Sequence, residues 1–106
     1  MTEFILAITT CSEMKGHEMA RILVEKQVCA CVNLIPGVKS HYFWREEIVE
    51  DSEVILLMKT EARLEEALKQ TIIENHPYEL PEFIVFEIKS GSKNYLEWIS
   101  TNLSKS

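Results

Sequence analysis

Two hydrophobic periods alternate along this chain, and their order predicts the fold. Residues 4–9 form a nearly continuous apolar run, the pattern of a strand buried on both faces of a sheet. Met19, Ile22 and Leu23 then recur at helical spacing. A helix is predicted from Ser12, a suitable N-cap followed by Glu13 at the positive end of the dipole, to about Lys26, with Gly16 weakening its first turn. From Val28 the pattern changes: Cys29-Ala30-Cys31-Val32-Asn33-Leu34-Ile35 is small and β-branched, and Val38 to Trp44 resumes a strand beyond Pro36-Gly37. Proline cannot donate to a ladder, so this segment reads as one long strand bent by a bulge, or as an edge. Arg45-Glu46-Glu47 reads as a polar turn, with a return strand from Ile48 to Met58. The resulting hairpin is much longer than the usual strand of about 5–6 residues.

Thr60 is placed to cap a second helix, with Glu61 in its first turn. Leu64, Ala67, Leu68, Thr71 and Ile72 mark its core face at i, i+3, i+4, i+7 and i+8. Pro77 ends it, because the residue before a proline is pushed out of the helical region. Residues 83–88 read as a strand, Gly91 as a break, and Ser92 as the start of a last helix with Tyr95, Leu96, Ile99 and Leu103 on one face. The order βαββαβ plus a C-terminal helix predicts an α+β, ferredoxin-like domain over residues 1–106: one antiparallel sheet with helices on one face. The long hairpin, carrying Tyr42-Phe43-Trp44, would leave unpaired edges and apolar surface on a monomer, so self-association is expected.

Composition narrows the function classes. Hydrophobic residues make up 46% of the chain, enough for a folded core. Eleven basic against 17 acidic residues give a net charge of −6, a poor match for a phosphate backbone, so no nucleic-acid partner is expected. No apolar stretch approaches the roughly 20 residues of a membrane span, and no basic leader precedes the first strand; the cytoplasm is the expected location. Three cysteines, an odd number without framework spacing, read as reduced thiols.

Several segments in order resemble one family. Ala30-Cys31-Val32-Asn33, Ile35-Pro36-Gly37 and the aromatic run ending in Trp44 are similar to the signature segment of CutA proteins. Ser52-Glu53-Val54 leading into Lys59-Thr60, then His76-Pro77-Tyr78-Glu79 with Pro81-Glu82, and Tyr95-Leu96-Glu97-Trp98 resemble its later strand, its C-terminal motif and its last helix. The resemblance implies a ferredoxin-like subunit in a tight homotrimer linked to tolerance of copper and other divalent metals, with no established enzyme activity. Where family members commonly carry glycine, this chain has Glu46, so a different hairpin tip is expected.

The residues offer few ligands for such metals. The soft candidates are Cys11, Cys29, Cys31, His17, His41 and His76, and no paired metal motif such as CxxC or HExxH occurs. Cys29 and Cys31, at i and i+2 of a strand, would share a face, either as ligands or as small buried apolar groups. His76, beside Pro77 and near Glu79, is the leading ligand for Cu²⁺ or another divalent cation, with Cys11 and Cys31 behind it. It could equally hydrogen-bond free carbonyls at a helix end. Glu46, Glu47, Glu50, Asp51 and Glu53 read as a solvated acidic turn. No activated nucleophile and no glycine-rich phosphate loop stands out, so neither catalysis nor an organic cofactor is expected. Trp44, Lys59 and Tyr78 lie at element ends, where trimers of this shape form clefts between subunits. They read as cleft or interface residues, with Tyr42 and Phe43 on the trimer hairpin.

Overall fold

Burial along the first strand sets the architecture. In the computed structural model, which describes residues 3–105, β1 (Phe4–Cys11) alternates strictly. Ile5, Ala7, Thr9 and Cys11 are buried, while Phe4, Leu6, Ile8 and Thr10 are only half-buried. The sequence expectation of burial on both faces is therefore corrected: one face is covered by helices and the other is largely open. The strand also runs two residues further than expected, so Cys11 ends β1.

Three more strands complete an antiparallel sheet in the order β2-β3-β1-β4: β2 (Cys31–Trp44), β3 (Glu47–Glu61) and β4 (Ile84–Glu87). Helices α1 (Glu13–Glu25) and α2 (Glu65–Asn75) follow β1 and β3, and α3 (Lys93–Thr101) closes the chain. This is the expected ferredoxin-like plan. Met19 and Leu23 of α1 and Leu68 and Ile72 of α2 pack on Ala7, Val54, Leu56 and Met58. Gly16 does more than weaken a turn. A methyl group there would stand 2.6 Å from the Val54 side chain, so the missing side chain lets α1 lie close on the sheet.

Several boundaries move. Thr60 is not a cap: it lies inside β3, and its buried hydroxyl donates to the Val28 carbonyl at 2.8 Å. A short 3-10 helix, Ala62–Leu64, leads into α2 instead. Leu64, Leu68, Thr71 and Ile72 are buried as expected, but Ala67 is exposed. β4 is shorter than the predicted strand. Cys29 precedes β2 and is buried, so it does not share a strand face with Cys31.

The third helix departs from the one-face plan. Ser92 caps it by accepting from the Tyr95 N–H. Its Ile99, with Leu103 beyond it, forms a second small core with Ala30 and Leu64, against which Phe4 and Leu96 pack. Phe4 belongs to the open face, so α3 covers one end of that face. The rest, Leu6, Ile8, Ile35, Ile55, Leu57, Ile84 and Phe86, has no helix over it.

Candidate functional site

The hairpin is built from two local irregularities. Ile35 lies opposite Ile55 and Val38 opposite Glu53, so β2 carries one extra residue at Pro36-Gly37, with Gly37 at φ 74°. This is the bulge that the sequence suggested. At the far end Trp44 pairs with Glu47, leaving a two-residue turn, Arg45-Glu46, with φ of 51° and 70°. Glu47, expected in the turn, begins β3. Two left-handed residues match a type I′ hairpin turn, which usually carries Asn and Gly. Here the conformation is held without glycine. Across the ribbon the Lys39 Nζ donates to the Ser52 hydroxyl at 2.6 Å, His41 Nε2 lies 2.7 Å from a Glu50 carboxylate oxygen, and the Tyr42 hydroxyl donates to Asp51.

A second segment comes down on the tip. Asn75 ends α2, and His76 turns to ψ 137°, the extended conformation that Pro77 imposes. The His76 Nε2 sits 2.8 Å from the Thr10 carbonyl, and its Nδ1 accepts from the Tyr78 N–H at 3.2 Å. These partners assign the proton to Nε2 and leave no free lone pair on the ring. The Tyr78 ring lies edge-on to His76 at 4.6 Å, and its hydroxyl donates to Glu53 at 2.6 Å. Burial, and then the Glu53 carboxylate, push the Tyr78 phenol well above its ordinary pKa. Arg45 Nη2 reaches both Glu79 oxygens, at 3.1 and 3.4 Å, while its guanidinium lies 5.7 Å from the Trp44 ring centre. The proline-fixed loop is thereby tied to the hairpin tip.

Two open cavities flank this junction. One of about 430 Å³ is lined by Trp44, Arg45, Tyr78, Glu79 and Leu80. Another of about 420 Å³ lies among Tyr42, Trp44, Glu53, Tyr78, Leu80 and Glu82. The fold thus unites Trp44 and Tyr78, which are 34 residues apart. Lys59 is not with them: its Nζ donates to the Tyr95 hydroxyl at 3.3 Å and lies 5.6 Å from that ring's centre. Phe43 and Tyr42 are exposed on the hairpin. Glu53, Arg45, Glu79, Leu80 and Glu82 were not singled out as cavity residues by sequence reasoning. The available signal was Glu53 itself, a carboxylate entering the apolar run of β3.

The metal candidates do not converge. Cys11 is buried at the end of β1, and burial followed by the nearby Glu53 charge raises its thiol pKa. Cys29 is pushed up to about 12 by burial and then by Cys31. The Cys31 sulfur is half-buried, 3.9 Å from the Asn33 side-chain oxygen. Cys11 pairs opposite Val54 and Cys31 opposite Lys59, which puts them about 17 Å apart along the sheet. His17 is exposed on α1, and His41 stands on the hairpin. Among the described residues no group of three His, Cys, Asp or Glu side chains is arranged to hold an ion. Raised thiols and an imidazole with both nitrogens engaged do not fit a ready-made copper site.

Comparison with known proteins gives a consistent result. The family described as CutA1 divalent ion tolerance protein matches residues 4–102. The divalent-cation tolerance protein CutA of Thermus thermophilus is 40% identical over 100 residues, covering 94% of this chain and 97% of that protein. The crystal structure of CutA1 from Oryza sativa superposes with a TM-score of 0.95 at 33% identity, covering 99% of this chain and 97% of that one. A PII-like protein CutA from Nostoc, solved in apo form, superposes at 0.89 with 40% identity over 94% and 97% of the two chains.

Proposed function

The chain belongs to the CutA1 divalent-ion tolerance family, and on that premise we propose that it acts as a homotrimer in divalent-cation tolerance, with weak direct binding of copper or a similar ion. The observation that carries the reading is the open face of the sheet. Ile35, Ile84 and Phe86 are exposed there beside half-buried Leu6, Ile8, Ile55 and Leu57; on the hairpin Tyr42 and Trp44 stand on the same side, and Phe43, exposed on the other, adds a second apolar surface. Apolar surface of this extent is a liability on a monomer and an asset between copies. Lys59 stands on this same open face, opposite Leu6 and Cys31, so copies that meet through the face would bring it into the interface. The three free cysteines favour a reducing compartment, and we place the protein in the cytoplasm. No helix among the described residues is long and apolar enough to cross a membrane.

Sedimentation at micromolar concentration tests the assembly, with an expected mass about three times the 12.3 kDa chain. Phe43→Asp or Trp44→Asp should lower that mass, whereas a charge change at Glu47 should not. A monomer from the unmodified protein would defeat the reading. Weak metal binding follows from His76: ligation must first break its bond to Thr10 or Tyr78. Calorimetric titration with Cu²⁺ and Zn²⁺ should show low affinity, about tenfold lower again in His76→Ala and unchanged in His17→Ala. Equal affinity in wild type and His76→Ala would shift the site to Cys11 or Cys31. A second reading, an effector-binding trimer, draws on the PII-like description of the Nostoc protein and on the cavities at Trp44 and Tyr78. Absence of any metal binding would favour that reading, or a purely structural scaffold.

A further inference from the structure

The cavity of about 420 Å³ between hairpin and loop has aromatic walls and an acidic floor. Tyr42, Trp44 and Tyr78 supply the rings, and Glu53 and Glu82 the carboxylates. Glu53 is only 7% exposed. Its Oε2 accepts from the Tyr78 hydroxyl at 2.6 Å, while its Oε1 receives no hydrogen bond from any described residue. Among the described residues no Lys, Arg or His forms an ion pair with it. A carboxylate offers about four lone-pair sites, and because no buried side-chain oxygen among the described residues lacks a partner, the unbonded Oε1 keeps accessible surface on which a donor can be received. Glu82 adds a second negative group, contacted by the Thr10 hydroxyl only at 3.5 Å.

The adjoining cavity shows the same chemistry already completed. There Arg45 stands over the Trp44 ring with Glu79 as its partner: cation, aromatic face and carboxylate together. The Glu53 cavity has the ring and the carboxylate, and the one basic side chain among the described residues that line it, His41, is engaged by Glu50 at 2.7 Å rather than by Glu53. Its aromatic walls and the absence of three convergent ligands disfavour a bare metal ion. Its volume falls in the range of about 300–1,000 Å³ typical of small-ligand sites.

We propose that this cavity binds an organic ammonium ion, whose N–H groups bond the free Glu53 oxygen while its charge lies against the Tyr42, Trp44 and Tyr78 rings. The net charge of −6 favours approach of such a cation. All the residues come from one chain, so the inference stands apart from metal binding; Tyr42 and Trp44 also lie on the hairpin proposed for the subunit interface, so the titration is made on the assembled protein.

The chain has two tryptophans, and in a Trp98→Phe background fluorescence reports on Trp44 alone. Titration at constant ionic strength with n-butylammonium chloride should give a saturable change in the millimolar range. Sodium chloride and sodium butyrate should give none. Glu53→Gln, which keeps an acceptor for the Tyr78 hydroxyl, should weaken binding tenfold or more. Glu74→Gln, on the exposed side of α2, should stay within twofold of the parent. A response shared by sodium or butyrate, or undiminished in Glu53→Gln, overturns the proposal. If Glu53→Gln does not fold, nuclear Overhauser contacts decide it. Contacts from butylammonium to Tyr42 and Trp44 ring protons uphold the site, and contacts only elsewhere refute it. A capped Gly-Lys-Gly peptide separates the sources of the ammonium group. Tighter binding than butylammonium assigns the site to a protein lysine, and weaker binding to a free amine.

Discussion

On the helical side of the sheet, Leu56, Met58, Leu68 and Ile72 are fully buried. On the opposite side Ile35, Ile84 and Phe86 keep 42%, 47% and 51% of their surface exposed. The same strands supply both sides, so strand composition alone does not decide the difference. It arises from the connections: α1 and α2 cross one face, and only α3 reaches the other, at the Phe4 end. Covering an exposed Ile or Phe is worth about 1.5–3 kcal/mol. The open face therefore holds stabilisation that the chain cannot collect alone, whereas the helical face has already collected its share during folding.

Paired truncations test this contrast most strongly. Leu68→Ala should cost about 2–5 kcal/mol in urea denaturation at any protein concentration, because its cavity opens inside the finished core. Ile84→Ala should cost less than about 1 kcal/mol in dilute protein and more as concentration rises and copies associate. Equal losses at both positions in dilute protein would show that the open face is already covered.

A smaller effect sharpens the contrast at the one place where the chain does cover its open face. Glu61 lies opposite Phe4 and under α3, where its carboxylate accepts from Ser100 at 2.6 Å and from Arg63 at 2.7 Å. Burial works against the charged form, but these hydrogen bonds and the Arg63 and Lys105 charges outweigh it and hold the carboxyl below its ordinary pKa. The folded value is thus lower than the unfolded one. Its stabilisation is fully present above the unfolded value of about 4.3 and is lost as pH falls through the folded value. Glu61→Gln should lower stability at pH 7 by about 1–2 kcal/mol. That deficit should shrink in acid; a deficit constant down to pH 3 would remove the carboxylate from the account.

The smallest effect concerns the hairpin tip, far from both cores. Glu46→Gly should stabilise by about 0.5–1 kcal/mol, a rise of a few degrees in Tm, because glycine adopts positive φ without strain. Arg45→Gly should not, since it also removes the Glu79 pair and the contact with Trp44. A destabilising Glu46→Gly would mean that the turn is not strained.

Local signals read well from the sequence: the core face at Leu64, just before α2, and at Leu68 and Ile72 within it, the stop before Pro77, and the bulge at Pro36-Gly37. Each depends on neighbours within a few positions. Thr60 misled because threonine suits both a helix cap and a strand, and pairing with β1 decided for the strand. The run in β1 suggested two buried faces because hydrophobicity reports what a surface prefers, not what covers it. The candidate site was legible only in pieces. Trp44 and Tyr78 were singled out, but nothing in the spacing told that Glu53 would lie between them while Lys59 would not. Such meetings are made by the long connection through α2, over distances that periodicity does not carry.

The bulge at Pro36-Gly37 has one more consequence, which is a matter of parity. Up to Ile35 the odd-numbered residues of β2 stand opposite Leu57 and Ile55 on the open side. The extra residue reverses that count, so beyond Val38 the even-numbered residues share a side with Glu53. Tyr42 and Trp44 are even. β3 runs unbroken past this point, so deleting Gly37 would remove the bulge while leaving Tyr42 opposite Val49 and Trp44 opposite Glu47, on the same side as before. The inserted residue, seven positions before Trp44, therefore works as a bend in the ribbon: it adds curvature and twist between the sheet and the cavity without changing which side chains face it.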